Sequence, residues 1–417
     1  MRKKGFQQFL PLCILAVSCI FATGCLKSVG TNASLSATPD SLYLPASGSA
    51  MDTLLVLASA SWTAQCNQPW VTMSSTSGNG NGFIVVSASS NIGSVSPRYA
   101  SITVSSNGLS NQVSGVAQAA GVTVQAGNGS SGSGLAQLNS PMGISVDSNL
   151  YIFVADKNNN RVVVWVYTFP AGYLVAGNGT MGSALTELSG PNAEFVDASH
   201  NIYVCDAQNA RITKWPPAAT TGTVAAGSGV QGSGLDQLSD PSGVWVDANN
   251  NIFISDRGNN RVVEWASGAS SGTVVAGNGV YGSALNQLAS PGGIFMDASN
   301  NLYVADSANA RIVKWPPGAA QGTVVAGTGT AGSGPDQLQS PSAVYVDKSG
   351  NIYVSDAGNN RVMKWGPGAS SGTMVAGTGT AGSALNQLMN PSGVWVDIGG
   401  FIYVSDMGNN RVVRWAQ

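Results

Sequence analysis

Apolar residues in this chain fall into short runs bounded by Gly, Pro, Ser, Asn and Asp, a pattern that predicts β-strands joined by turns. Between residues 33 and 120 such runs include Leu54-Leu55-Val56-Leu57, Phe83-Ile84-Val85-Val86 and Ile102-Thr103-Val104. Beyond residue 121 they acquire a fixed period. Pro141, Pro191, Pro241, Pro291, Pro341 and Pro391 are spaced by 50, as are the series starting at Asp156, Arg161 and Trp165, so six copies follow without insertion or deletion. In the fourth copy, strands are predicted over 293–297, 301–305, 311–315 and 322–327, with a tight turn through Asn309. Four short strands per unit predict a propeller blade. The last copy ends at Trp415-Ala416-Gln417 without a fourth strand, while 121–127 carries a spare one. The spare strand is expected to complete the last blade and remove both open edges. The expected fold is therefore all-β: a β-rich region over 33–120, then a six-bladed β-propeller over 121–417.

Composition narrows what such a chain does. Only 9% of residues are charged, against a usual ~25%, which argues against helices with wet, charged faces. A hydrophobic content of 43% with ten Trp excludes a disordered Gly/Ser polymer. The net charge is −2, and 121–417 holds 13 Lys and Arg against 18 Asp and Glu. Nucleic acid needs concentrated positive charge, so it is excluded as a partner. His200 is the one histidine.

The first residues are read separately. Arg2, Lys3 and Lys4 precede an apolar stretch over 9–21 that is too short to span a bilayer, and Ala22-Thr23-Gly24 then leads to Cys25. This resembles a bacterial lipoprotein signal, in which the Cys becomes the lipidated N-terminus, although Ala22 stands where that family usually has Leu. The resemblance implies a signal over 1–24, a lipidated Cys25 with a linker over 25–32, and an outer-membrane lipoprotein facing periplasm or cell surface. The lipid anchor would be its one membrane contact; the alternative is plain secretion after Gly24. Cys66 and Cys205 then remain, which is no disulfide framework. Cys205 stands where other copies have Ala or Ser, and is expected as a buried small residue.

Two further resemblances follow from the motifs. Pro-x-Gly-(Val/Ile)-x-Val-Asp, Asn-Ile-Tyr-Val-(Ser/Ala)-Asp and Asn-(Asn/Ala)-Arg-(Val/Ile) resemble the NHL repeat in all six units. Propellers of that kind serve RNA binding, extracellular sensing, adhesion and, in a few cases, lyase chemistry. Ser61-Trp62, Pro69-Trp70-Val71, Ser77-Gly78, Asn91, Arg98 and Val116-Ala117-Gln118 resemble a BACON domain. That resemblance implies a sandwich that either binds carbohydrate, with Trp62 and Trp70 as stacking rings, or acts as a spacer with both rings in its core.

Among candidate chemistries, Gly127-Asn128-Gly129-Ser130-Ser131-Gly132 fits a dinucleotide fingerprint, but no βαβ unit follows and the string recurs with the repeat. Its glycines are expected to supply positive φ in turns. The sixfold Asp–Asn–Arg set is expected as scaffold, with Asp accepting turn N–H groups or a bidentate Arg.

Departures from symmetry are better candidates. Glu194 replaces the aliphatic Ile144, Val244, Ile294, Val344 and Val394, and should face the central channel, a partner or a metal. The neighbouring column is Ser145, Phe195, Trp245, Phe295, Tyr345 and Trp395, which either lines the channel or packs between blades. Lys157 and Arg257 in the second-to-third-strand loops, with Met181 and Tyr281 in the inter-blade loops, share one face. These five residues, Glu194, Lys157, Arg257, Tyr281 and Met181, are the candidate ligand-binding set.

No catalytic residue, metal ligand set or cofactor is assigned. His200 lies in a turn on the opposite face and cannot alone supply a histidine-rich zinc site. The expected function is non-catalytic binding of an extracytoplasmic protein or glycan by a monomer. Two alternatives stay open: a metal-dependent hydrolase or lyase of gluconolactonase-like kind near Glu194, and a structural envelope component.

Overall fold

The computed structural model describes residues 33–48, 51–92, 94–166 and 169–417, so the predicted signal and Cys25 lie outside the described residues. The regular structure there is β throughout, apart from short 3-10 turns such as Lys157–Asn159.

From residue 122 onward, four-stranded antiparallel sheets repeat like propeller blades. The first runs Pro141–Val146, Ile152–Asp156, Arg161–Trp165 and Tyr173–Ala176 in spatial order, and four more of the same order follow it. The last sheet takes its outer strand from Val122–Ala126, which pairs antiparallel with Arg411–Trp415 through Val122↔Trp415 and Val124↔Val413. First strands pack on first strands, and Pro141–Val146 touches both Pro191–Val196 and Pro391–Val396, so the innermost strands form a closed circle.

Burial follows this stacking. Second strands such as Leu302–Asp306 are buried at every position because neighbouring sheets cover both faces, whereas the outer Thr323–Ala326 is mostly exposed. Trp165, Trp215, Trp265, Trp315 and Trp365 each fill a place beside a glycine. A Cβ on Gly222 would stand 2.7 Å from the Trp215 ring, so only glycine admits the indole there.

The Asp–Asn–Arg set ties each loop to its sheet. Asp156 Oδ1 accepts the Asn139 N–H at 2.7 Å, and Oδ2 accepts Asn159 Nδ2 and Arg161 Nε at 2.8 and 2.7 Å. The expected bidentate pairing is corrected here. Arg161 gives the carboxylate its Nε alone, while Nη1 and Nη2 donate to the carbonyls of Ser133, Gly134 and Gln137. Burial pushes the Asp156 carboxyl up, against the pull of Asn159, the Asn139 N–H and Arg161. Gly127 and Gly129 have φ of 70° and 86°, the turn role expected of them.

The N-terminal region contains two sheets around one core. One orders Leu35–Thr38, Met51–Ala58, Gly82–Ala88 and Val71–Met73; the other orders Ser41–Leu44, Gln112–Gln118, Arg98–Ser106, Ser61–Cys66 and Ser77–Asn79. Leu42, Leu54, Ile84 and Ile102, from both sheets, are wholly buried in that core.

Candidate functional site

The circle of first strands surrounds a channel, and its loop end opens into a cavity of about 290 Å³. Five rings line it. Phe195, Trp245, Phe295, Tyr345 and Trp395 succeed one another with centroids 4.7, 4.7, 4.8 and 5.1 Å apart and planes inclined by 51–59°. Both expected roles hold together, since the rings pack across neighbouring sheets and also face the cavity. Tyr345 and Trp395 also line a second recess, of about 390 Å³, at the opposite end among the first-to-second-strand turns. The aromatic collar therefore stands between two recesses.

The sixth place in the collar is Ser145. Its Oγ donates to Glu194 Oε1 at 3.2 Å, and both residues are buried. Glu194 Oε2 has no protein partner. It lies against Gly143, where a Cβ would come within 2.7 Å of it. Burial pushes the Glu194 carboxyl up to about 8, with Ser145 and backbone N–H groups pulling it down.

Above Glu194, Asn192 Nδ2 donates to Asp240 Oδ1 at 3.0 Å and to the Pro241 carbonyl at 3.2 Å. Its Oδ1 is buried without a partner. Asp240 Oδ2 accepts Arg257 Nε at 2.8 Å and Nη2 at 2.6 Å. Lys157 belongs to the same cluster: burial lowers its ammonium, Asp240 raises it and Arg257 lowers it. One side of the channel is thus polar and charged, and the rest is aromatic.

Comparison with known proteins matches this architecture. The NHL repeat model matches residues 138–165, 238–265 and 338–365. The BACON model, described as "Putative binding domain, N-terminal", matches residues 60–125. The chain is an NHL propeller with a BACON domain.

Solved structures agree on the fold. A Bacteroides thetaiotaomicron protein of unknown function aligns over 93% of this chain and 98% of its own, at 14% identity and a TM-score of 0.58. An auxiliary nutrient binding protein of the same organism covers the same shares at 12% identity and TM-score 0.55. A gluconolactonase from Xanthomonas campestris aligns over 67% of this chain and 86% of its own, at 16% identity and TM-score 0.50. Among curated proteins none matches significantly.

Within the NHL propeller, the candidate residues divide. Glu194 and Arg257 line the cavity, and Lys157 is electrostatically coupled to Arg257 through the Asp240 cluster. Met181 and Tyr281 do not line it; they are 66% and 63% exposed in the inter-sheet loops, bridged to Leu188 and Leu288. Asn192 and Asp240 were missed as candidates. Their signal was the same one, because the column of Asn192 is otherwise Met142, Ser242, Gly292, Ser342 and Ser392.

His200 lines neither recess; its half-exposed ring places Nε2 3.4 Å from Asp147 Oδ2. Among the described residues, no three His, Cys, Asp or Glu side chains gather as a metal-holding group. Cys205 is fully buried, and burial first, then the Glu194, Asp240 and Asp206 carboxyls, pushes its thiol up.

In the BACON domain, Trp62 is in the core and donates Nε1 to the Gly80 carbonyl at 2.9 Å. Trp70 is half-buried, with the Arg98 guanidinium 4.4 Å over its ring. Neither offers a bare stacking face. The exposed rings among the described residues there are Tyr43, Phe83 and Tyr99, and Tyr43 and Tyr99 flank Ala117 on adjacent strands.

Proposed function

We infer that the six sheets form a closed six-bladed propeller preceded by a β-sandwich, and that the propeller is a non-catalytic module binding an extracytoplasmic protein or glycan at its loop face. The observation that carries this is a cluster found at one side of an otherwise repetitive ring: Glu194, Asn192 and Arg257 line the cavity, and Asp240 and Lys157 stand beside Arg257. A rigid scaffold presenting varied side chains around a concave mouth suits recognition. The nutrient-binding neighbour supports this as an analogy of fold. The protein is read as a monomer that takes no cofactor and is exported and held at the outer membrane by lipid on Cys25. Replacing Cys25 with Ala should release it from membranes.

The test is a glycan and envelope-protein array probed with the whole chain. Hits should disappear when Glu194, Arg257 and Tyr281 are replaced together. An array without hits would favour a structural envelope role instead.

A second reading has one observation in its favour: a buried carboxyl held up to about 8 is suited to acid–base work. Glu194 contacts Ser145 and Gly143 rather than a second carboxylate or a histidine. A melting-temperature rise on adding Ca²⁺, Mg²⁺ or Zn²⁺, lost in Glu194→Val, would turn the assignment toward a metal-dependent hydrolase or lyase.

A further inference from the structure

Arg257 stands at the propeller cavity with a donor left over. The wall hydroxyls of Ser242, Ser307, Ser342 and Ser392 donate to the carbonyls of Pro291, Pro341, Pro391 and Pro141. Arg257 directs Nε and Nη2 to a single oxygen, Asp240 Oδ2, and Nη1 has no protein partner among the described residues. The side chain is 42% exposed and lines the cavity, so its guanidinium is open to a ligand.

The charges at this end do not cancel. Among the described residues, Arg257 and Glu194 are the only acidic or basic ones lining the cavity. Burial holds the Glu194 carboxyl up to about 8, so it keeps its proton at neutral pH, and Oε2 is sealed against Gly143. Lys157 has no ion pair or hydrogen bond among the described residues and is coupled through space to Asp240 and Arg257. Two cations therefore share one carboxylate, Asp240. Burial works against the Lys157 ammonium, and a further anion nearby would favour it. The buried clamps, such as Asp256 with Arg261, pair one to one and add no charge.

Below the mouth the wall is aromatic. Pro241 pairs with Asp256, the residue before Arg257, and Trp245 lies four residues further along that strand. At ~3.3 Å per residue its level is roughly 13 Å below the mouth. Trp245, Tyr345 and Trp395 are partly exposed there, and such faces cover a flat apolar body. One spare positive charge above an aromatic wall suits a monocarboxylate carried on a ring. A dianion exceeds that charge, and a cation would meet Arg257 and Lys157. At about 290 Å³ the space is at the small end of ligand pockets, which run from about 300 to 1,000 Å³.

We propose that this cavity binds a small ring-bearing carboxylate, its anionic end on Arg257 with Lys157 adding charge, and its ring against the aromatic wall. The proposal rests on the binding-module reading and names the ligand class of the same site.

The test titrates the whole chain calorimetrically with phenylacetate, indole-3-acetate and glucuronate, which separate aromatic acids from sugar acids. Benzylamine, benzyl alcohol and phenyl phosphate are the cationic, neutral and dianionic probes. The indole N–H resonance of Trp245, assigned with Trp245→Phe, locates binding. At least one monocarboxylate should bind more tightly than all three other probes and shift that signal. Arg257→Ala and Lys157→Ala take the residue of other copies at that column, Ala207 and Ala357, and so suit the fold. They should weaken binding about ten-fold, or ~1.4 kcal/mol, and about three-fold respectively. Asp240→Asn takes the residue of the sixth copy, Asn390, and keeps an acceptor for Asn192 and Arg257. It should tighten binding about three-fold, because the competing charge is gone. Thermal melts confirm that each variant folds; if Arg257→Ala does not, Lys157→Ala and Asp240→Asn decide.

No binding of any of the three carboxylates overturns the proposal, as does a stronger response to one of the other probes. So do an unmoved Trp245 signal, affinity untouched by Arg257→Ala, or weaker binding in Asp240→Asn. Array hits without carboxylate binding keep the loop-face reading and remove this one. Carboxylate binding in the cavity without array hits removes the broader loop-face reading and keeps this one.

Discussion

Ser145 Oγ donates to Glu194 Oε1 across 3.2 Å, joining the two positions at which adjacent sheets break the repeat most sharply. Elsewhere the level of Ser145 is aromatic and the column of Glu194 is aliphatic. The changes are complementary: a small residue stands where a ring would, and its hydroxyl supplies the donor that a buried carboxyl requires.

That carboxyl makes stability depend on pH. Its value of about 8, raised from 4.5, means the folded protein binds this proton more tightly than the unfolded chain. The contribution is complete below pH 4.5 and is lost as pH rises through 8. Glu194→Gln removes the titration, so the variant should gain on the native protein between about pH 5 and pH 9, by a few kcal/mol at most at ~1.36 per unit. Melts at several pH values check this; parallel curves would contradict it.

Arg311 shows what the repeating clamp holds. Its Nε meets Asp306 at 2.7 Å, and Nη1 and Nη2 reach the carbonyls of Ser283, Ala284 and Gln287. A lysine cannot span a carboxylate and three carbonyls from one ammonium. Arg311→Lys should destabilise the propeller by about 2–3 kcal/mol, since buried partners are left unpaired. Denaturant midpoints measure it, and a change under about 0.5 kcal/mol would show the clamp to be dispensable.

Closure rests on Val122–Ala126. Val122 is wholly buried and pairs with Trp415. Val122→Asp places an unpaired charge there and should cost about 3 kcal/mol or more. Hydrogen exchange should rise in both Val122–Ala126 and Arg411–Trp415. Loss of protection in the first strand alone would mean that the last sheet does not depend on it.

Two glycines separate strain from crowding. Gly318 and Gly327 have φ of 71° and 77°; a Cβ on the first meets nothing, whereas on the second it lies 2.5 Å from the Ala310 carbonyl oxygen. Both Ala variants carry the left-handed cost, about 1 kcal/mol. Gly327→Ala should lose at least about 1 kcal/mol more, because backbone must shift. Equal losses would show that the loop yields freely.

The period of 50, the four strands per unit and the spare strand at 121–127 were legible in the chain, because alternation, turn glycines and copy number are local properties. Symmetry-breaking also showed which residues to suspect: Glu194, Lys157 and Arg257. Which of them meet was decided only by tertiary structure. Ser145 and Glu194 are 49 residues apart and Asn192 and Asp240 are 48 apart, yet each pair is in contact. Sheet packing around a circle sets such neighbours, and side-chain reach decides which atoms touch. For the same reason Met181 and Tyr281, equivalent in the repeat and on the same face, stay in the exposed loops outside the cavity. Trp62 likewise turned into the core, since its strand alternation points it there and Gly78 and Gly82 leave room for the ring. The repeat determined the scaffold; the folded ring determined the site.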